Sequence, residues 1–183
     1  MAKQIEVVFA GFGGQGVMTA GQLLAYTAMD EGKKVAWIPS YGPEMRGGTA
    51  NCTVVISTIR IGSPIINNPG AACVFNRPSL DKFGQMVRPG GLLLINSSLI
   101  DVTSNRKDIT EILVPANDIA MAAGNAKAAN MVMLAAYVEA TNVVSFDTLN
   151  KMLLAKMGAK KELLDINRKA FEEGRKLIQK AHA

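Results

Sequence analysis

The chain reads as α/β: a single Rossmann-like open sheet, mostly parallel, with flanking helices and a helical C-terminal region. Three observations predict it. A β-branched run breaks at a glycine cluster and resumes with helical spacing; short apolar runs then recur between helix-forming stretches; and from residue 119 onward helical spacing takes over.

Ile5 to Ala10 is the first strand, and Gly11-Phe12-Gly13-Gly14-Gln15-Gly16 ends it. Val17 to Glu31 follows as a helix with Val17, Ala20, Leu23, Leu24 and Ala28 on one face. Lys34 to Ile38 is a second strand, which completes a βαβ unit with parallel strands. Ser40 to Thr49 is a glycine-rich loop, and Ala50 to Ser57 alternates as a strand. Ile59 to Ile66 is expected to form one or two short extended pieces, and Ala71 to Phe75 a further strand. Pro78 opens a short helix, which Arg88-Pro89-Gly90-Gly91 ends before the buried strand Leu92 to Asn96. Ile109 to Val114 is the final strand. Helices are then expected over Ala126 to Thr141, over Phe146 to Met157 behind a Ser145 cap, and over Lys160 to Lys180. No repeat, linker or second core interrupts this order, so residues 1–183 are read as one domain.

Composition narrows the function classes. The 183 residues are 49% hydrophobic and 19% charged, which excludes a disordered or fibrous chain. The net charge of +5 is spread along the sequence, and the densest basic stretch, Lys160 to Lys180, is interleaved with acids as on a solvated helix, so no nucleic-acid partner is expected. No apolar run approaches the ~20 residues of a membrane span, and the first residues lack a signal peptide's apolar stretch, so no membrane partner and a cytoplasmic location are expected. Cys52 and Cys73 stand 21 residues apart and His182 is the single histidine, an inventory too poor for a metal or iron–sulfur site within this chain. Cys52, in an apolar strand, is read as inert; Met121, Met131, Met133 and Leu134 as core; and Trp37 as half-buried. Asn125 is a candidate helix cap, and Asn130 faces either a partner or the sheet edge.

Two loops carry the chemistry. Gly11, Gly13 and Gly16 form G-x-G-x-x-G between a strand and a helix, either a phosphate cradle at a helix start or simply a tight turn bringing helix and strand together. An intact NAD site is disfavoured, because the second strand ends Trp37-Ile38-Pro39-Ser40 where a ribose-binding acid is needed. Gln15 either reaches a ligand or partner, or caps the turn. The second loop, Ser40 to Ala50, places Tyr41, Glu44 and Arg46 among Gly42, Gly47 and Gly48 at the strand's C-terminal edge, the side on which open α/β sheets bind ligands.

GFGGQG after the first strand, with PSYGPEMRGGTANCTVVIS after the second, closely resembles the gamma chain of the 2-oxoacid:ferredoxin oxidoreductases. The similarity continues through Pro69 to Leu80 and through Gly124-Asn125 to Asn130-Met131-Val132. It implies one subunit of an enzyme that oxidatively decarboxylates a 2-oxoacid on thiamine diphosphate, passes the acyl group to coenzyme A and reduces ferredoxin through iron–sulfur clusters. The implied partners are alpha and beta chains holding thiamine diphosphate and Mg2+, a cluster-binding delta chain, and ferredoxin through the complex. This chain alone would hold no cofactor and no catalytic residue. Gly13, Gly14, Gln15, Gly16, Tyr41, Glu44, Arg46, Gly47 and Gly48 are the expected contacts to substrate, coenzyme A or another subunit, with Arg46 the cation for a carboxylate or phosphate. The form of the second loop is similar to 2-oxoglutarate members first and branched-chain (2-oxoisovalerate) members next. The alternative is a nucleotide-binding regulatory or scaffold module without redox partners.

Overall fold

A strand flanked on both edges and covered on both faces needs no polar alternation, and Gln4–Phe12 (β1), buried continuously from Glu6 to Gly11, is such a strand. The computed structural model describes residues 4–42, 48–157 and 161–181. It holds a six-stranded sheet in the order β2-β3-β1-β4-β5-β6, where β2 is Lys34–Tyr41, β3 Thr49–Ser57, β4 Ala71–Val74, β5 Leu92–Asn96 and β6 Thr110–Val114. β1, β4, β5 and β6 are parallel neighbours, and β3 alone runs against the rest. The mixed α/β class and the mostly parallel open sheet are as expected.

The expected βαβ unit forms in a split version. β2 does run parallel to β1, but β3 pairs antiparallel with both and lies between them. Pairing of Tyr41 with Ala50 also lengthens β2 beyond Ile38, so that the glycine-rich loop shrinks to a hairpin connection after Gly42. Pro39 fits there because β2 is an edge strand, where a missing N–H costs no ladder bond.

The helices divide unequally between the faces. Val17–Asp30 (α1), Ala116–Ala123 (α3), Ala129–Thr141 (α4), Phe146–Met157 (α5) and Lys161–Ala181 (α6) share one core with Phe9, Cys52, Val54 and Cys73. Arg77–Met86 (α2) covers the other face with Leu80 and Phe83, packed with Val8, Ala10, Val74 and Ile95. Burying each such large apolar side chain contributes about 1.5–3 kcal/mol. α4 is buried from Ala129 to Val138 because it lies between the sheet, where Tyr137 meets Phe9 edge-on at 6.0 Å, and α6. Contact between α4 and α6 is close: a β-carbon on Gly174 would stand 2.5 Å from the Val132 carbonyl oxygen.

Some expectations need correction. Ile59 to Ile66 forms no strand; Ser57 and Ser63 hydroxyls accept the N–H groups of Ile59 and Ile65, satisfying locally donors that a ladder would have used, and Ile59 and Ile65 stay exposed. Helix begins at Ala116 rather than Ile119, and Met121 is 64% exposed on its outer side instead of in the core. Met131, Met133 and Leu134 are core, and Trp37 is half-buried, as read. The Ser145 cap is present, its hydroxyl accepting from Thr148 N at 3.1 Å. Residues 126–128 form a 3-10 turn ahead of α4, and Asn125 caps it by accepting from Lys127 N. α2 starts one residue before Pro78, capped by Asn76. Among the described residues no helix is long and apolar enough to cross a membrane.

Candidate functional site

The glycine loop lies at the C-terminal ends of the parallel strands, between β1, whose helix packs on one face, and β4, whose helix packs on the other, the position where open α/β sheets leave a crevice. Gly16 precedes α1 with φ 75°, in the left-handed region, and a β-carbon there would lie 2.4 Å from Asn130 Nδ2. That nitrogen donates to the Gly16 carbonyl at 3.1 Å, so Asn130, buried within this chain, is turned toward the loop at the sheet's C-terminal edge, one of its two expected orientations, and fixes it.

Gln15 is turned inward. Its Oε1 accepts from Phe12 N at 2.7 Å and from Asn76 Nδ2 at 3.2 Å, and its Nε2 donates to the Phe75 carbonyl at 3.3 Å. It ties the end of β1 to the segment after β4, and Gly11 leaves the space for it, since a β-carbon there would be 2.6 Å from Gln15 Oε1. Of the two readings of Gln15, capping the turn is what its oxygen does.

The two loops meet. Gly13 N donates to the Gly48 carbonyl at 2.9 Å, and Gly42 N to the Thr49 carbonyl at 2.7 Å, so the β2–β3 hairpin is seated against the glycine loop. Tyr41, 55% exposed, lines a cavity of about 370 Å³ with Phe12, Gly13, Gly14, Gly16 and Thr19. Gly13, Gly14, Gly16, Tyr41 and Gly48 are thereby brought together, with Gln15 behind them. Glu44, Arg46 and Gly47 lie outside the described residues. A second cavity, about 210 Å³, opens on the other side of Gly14 and is lined by Gln15, Phe75, Asn117, Ala126, Lys127 and Ala129.

Asn96 and Asn117, which pattern reading passed over, organise that second cavity. Asn96, fully buried at the end of β5, accepts from Ala116 N at 3.2 Å and donates to Asn117 Oδ1 at 2.8 Å. The available signal was an asparagine closing an otherwise apolar strand.

The cysteines are not a redox pair. Phe9 of β1 pairs with Cys52 on one side and Cys73 on the other, which sets the two thiols two strand spacings apart, roughly 10 Å and beyond disulfide reach. Burial pushes Cys52 up to about 12 and Cys73 well above the ordinary thiol range. The dinucleotide geometry is also altered: β3 separates β2 from β1, and the residue ending β2 that shares a cavity with the glycine loop is Tyr41, which offers no carboxylate to a ribose.

A family model described as pyruvate ferredoxin/flavodoxin oxidoreductase matches residues 6–177. Ketoisovalerate oxidoreductase subunit VorA of Methanothermobacter marburgensis is 40% identical over 174 residues, 94% of this chain and 36% of that one. The chain thus spans about a third of the length of that relative. 2-Oxoglutarate synthase subunit KorC of the same organism is 33% identical over 186 residues, 97% of each chain. Among solved structures, the gamma subunit of a keto/oxoacid ferredoxin oxidoreductase from Geobacter sulfurreducens superposes with TM-score 0.82 at 30% identity, covering 96% of this chain and 98% of that one. A 2-oxoglutarate:ferredoxin oxidoreductase from Magnetococcus marinus, with 2-oxoglutarate, coenzyme A and succinyl-CoA bound, gives 0.89 at 25% identity over 97% of this chain and 31% of its own.

Proposed function

The chain belongs to the pyruvate ferredoxin/flavodoxin oxidoreductase family, and on that premise we propose that it is the gamma subunit of a 2-oxoacid:ferredoxin oxidoreductase that forms an acyl-CoA. The observation that carries the reading is the joining of the two motif loops, Gly13 N to Gly48 O, on the ligand edge of the sheet. Nothing in the chain's two-cysteine, one-histidine inventory would itself carry the redox chemistry. Thiamine diphosphate, Mg2+ and the iron–sulfur clusters belong, in this reading, to alpha, beta and delta chains. What this chain supplies is a surface: Gly13, Gly14, Gln15, Gly16, Tyr41 and Gly48, together with Glu44, Arg46 and Gly47 of the sequence between β2 and β3, set against coenzyme A, the oxoacid or a neighbouring subunit. Preorganised amides and one guanidinium suit a polyanionic acyl acceptor and a substrate carboxylate.

Two substrates fit. The loop's form supports 2-oxoglutarate, and the higher identity to VorA supports 2-oxoisovalerate. The test is coexpression with thiamine- and cluster-binding partner chains, followed by coenzyme A-dependent reduction of ferredoxin with a panel of 2-oxoacids. Copurification, and turnover of one of these two acids above the rest, supports the reading. A chain that purifies alone, or a complex with no oxoacid activity, overturns it and favours the regulatory module.

A further inference from the structure

The outer face of α1 is left bare beside the glycine loop. Thr19, Gln22, Tyr26 and Met29 stand three or four residues apart and so share one side of the helix, while Val17, Leu24 and Ala28 are buried on the other. Gln22, Tyr26 and Met29 are exposed, and tyrosine and methionine are residue types that interfaces favour over ordinary surface. α5 lies alongside, held by two contacts: Lys151 Nζ pairs with Asp30 at 3.2 Å, and Lys156 Nζ lies over the Tyr26 ring, 3.8 Å from its centroid. Here Thr19, Gln22, Leu23, Tyr26 and Lys156 line a cavity of about 200 Å³. That is below the roughly 300–1,000 Å³ of a small-molecule site and leaves room for one side chain of a larger partner. Buried Leu23 gives the cavity an apolar floor, and its other lining residues all carry polar groups, so the side chain that fits has a polar head.

The charge of that head follows from what the groove lacks. Asp30 is the single acid of α1, and Lys151 already takes it. Among the described residues Lys156 meets no carboxylate and has only the ring face, and the side chains of Thr19, Gln22 and Tyr26 have no hydrogen-bond partner. An ammonium held by a ring still has N–H groups to give, and a carboxylate is the group that takes them most strongly.

Position selects the chain that brings the carboxylate. Thr19 also lines the larger cavity with Gly13, Gly14 and Tyr41, so whatever fills the groove lies against the ligand edge of the sheet. On the subunit reading above, the oxoacid reacts at that edge on thiamine diphosphate, and the chain carrying this cofactor is the one brought there. A second copy of this chain fits poorly, because an isologous contact centred on the groove would set Lys156 against Lys156 with no unpaired acid between them.

We propose that the groove between α1 and α5 is the docking site for an acidic segment of the thiamine-bearing chain, one Asp or Glu side chain entering the cavity to pair with Lys156 while its apolar neighbours cover Tyr26 and Met29. The identity of the partner rests on the subunit reading; the preference for an acid does not.

The test titrates the whole chain with the purified thiamine-bearing chains and follows both the dissociation constant and the Met29 methyl NMR signal, which binding is expected to shift. Lys156→Glu should weaken binding at least tenfold, Lys156→Arg should stay within about threefold of wild type, and Tyr26→Ala should weaken it about tenfold. Both positions are exposed, and thermal melting of each variant alone verifies its fold. Lys180→Glu, the same charge change near the end of α6, should leave affinity in place. Unchanged affinity in Lys156→Glu, an equal loss in Lys180→Glu, or a loss confined to the cluster-bearing chain would overturn the dock. So would self-association of the chain that disappears in Tyr26→Ala, which would give the groove to a second copy. The two readings fail separately. A wild-type chain that binds no thiamine-bearing chain defeats the subunit reading and the dock with it, whereas a Lys156→Glu chain that assembles and supports turnover like wild type defeats the dock alone.

Discussion

Gly16→Ala is the smallest change that loads the glycine loop. At φ 75° an alanine costs ~1–2 kcal/mol of backbone strain. The new methyl would also lie 2.4 Å from Asn130 Nδ2, so the Asn130 side chain must leave and its bond to the Gly16 carbonyl is lost, another ~0.5–1.5 kcal/mol. The sum, about 1.5–3.5 kcal/mol, corresponds to a fall in melting temperature of roughly 3–14 °C for a domain of this size. Urea and thermal unfolding measure it. Gly16→Val should be worse, and the double variant Gly16→Ala/Asn130→Ala should lose less than the sum of the single changes, because the second substitution removes the atoms that clash. A Gly16→Ala chain melting within 1 °C of wild type, or strictly additive losses, would mean that neither the backbone at Gly16 nor its bond from Asn130 holds the loop.

Three further outcomes follow from the packing and the charges. Gly174→Ala should destabilise by about 1–3 kcal/mol in urea unfolding, since its methyl would be forced against the Val132 carbonyl, and an unchanged midpoint would mean that α6 slides freely on α4. Cys52 and Cys73 should resist thiol reagents at pH 8 until the chain unfolds, because with Cys52 at about 12 only about one molecule in ten thousand carries the thiolate; rapid labelling of the folded chain would contradict this. Glu31 is pulled upward by burial but held below the usual carboxylate value overall by bonds from Lys33 and Ser145 N. Its contribution is therefore present above the unfolded carboxylate pKa near 4.5 and lost as pH falls through the lower folded value, and Glu31→Gln should flatten that part of the acid-stability curve.

How far the fold could be read from sequence depended on whether a feature was local. The run Ile5 to Ala10, broken by glycines and followed by Val17 to Asp30, carries its own periodicity and was legible. The place of β3 was not, because Thr49–Ser57 looks the same paired parallel or antiparallel, and only tertiary pairing decides it. Ile59 to Ile66 has strand-like residues but joins neither edge of the sheet, and Ser57 and Ser63 satisfy the Ile59 and Ile65 N–H groups instead. Met121 shares helical spacing with core residues, yet only the docking of α3 determines which side faces out. At the site, the glycines announced the loop, and the resemblance brought in the hairpin. Gln15, Asn130, Asn96 and Asn117 were visible as amides, but whether an amide faces inward is set by its partners, the Phe12 N–H for Gln15, the Ala116 N–H for Asn96, the Gly16 carbonyl for Asn130 and the Asn96 amide for Asn117, all but Phe12 far away in sequence.

Omission and restoration of this chain show whether the complex needs it. Coenzyme A-dependent reduction of ferredoxin by 2-oxoglutarate or 2-oxoisovalerate would be measured for the alpha, beta and delta chains purified without this chain, and again after adding it in equal amount. Little turnover is expected without it, with recovery on addition and a Michaelis constant for oxoacid or coenzyme A raised roughly 10- to 150-fold when the added chain carries Arg46→Ala. Full activity in its absence, or no recovery when it joins the complex, would contradict that expectation.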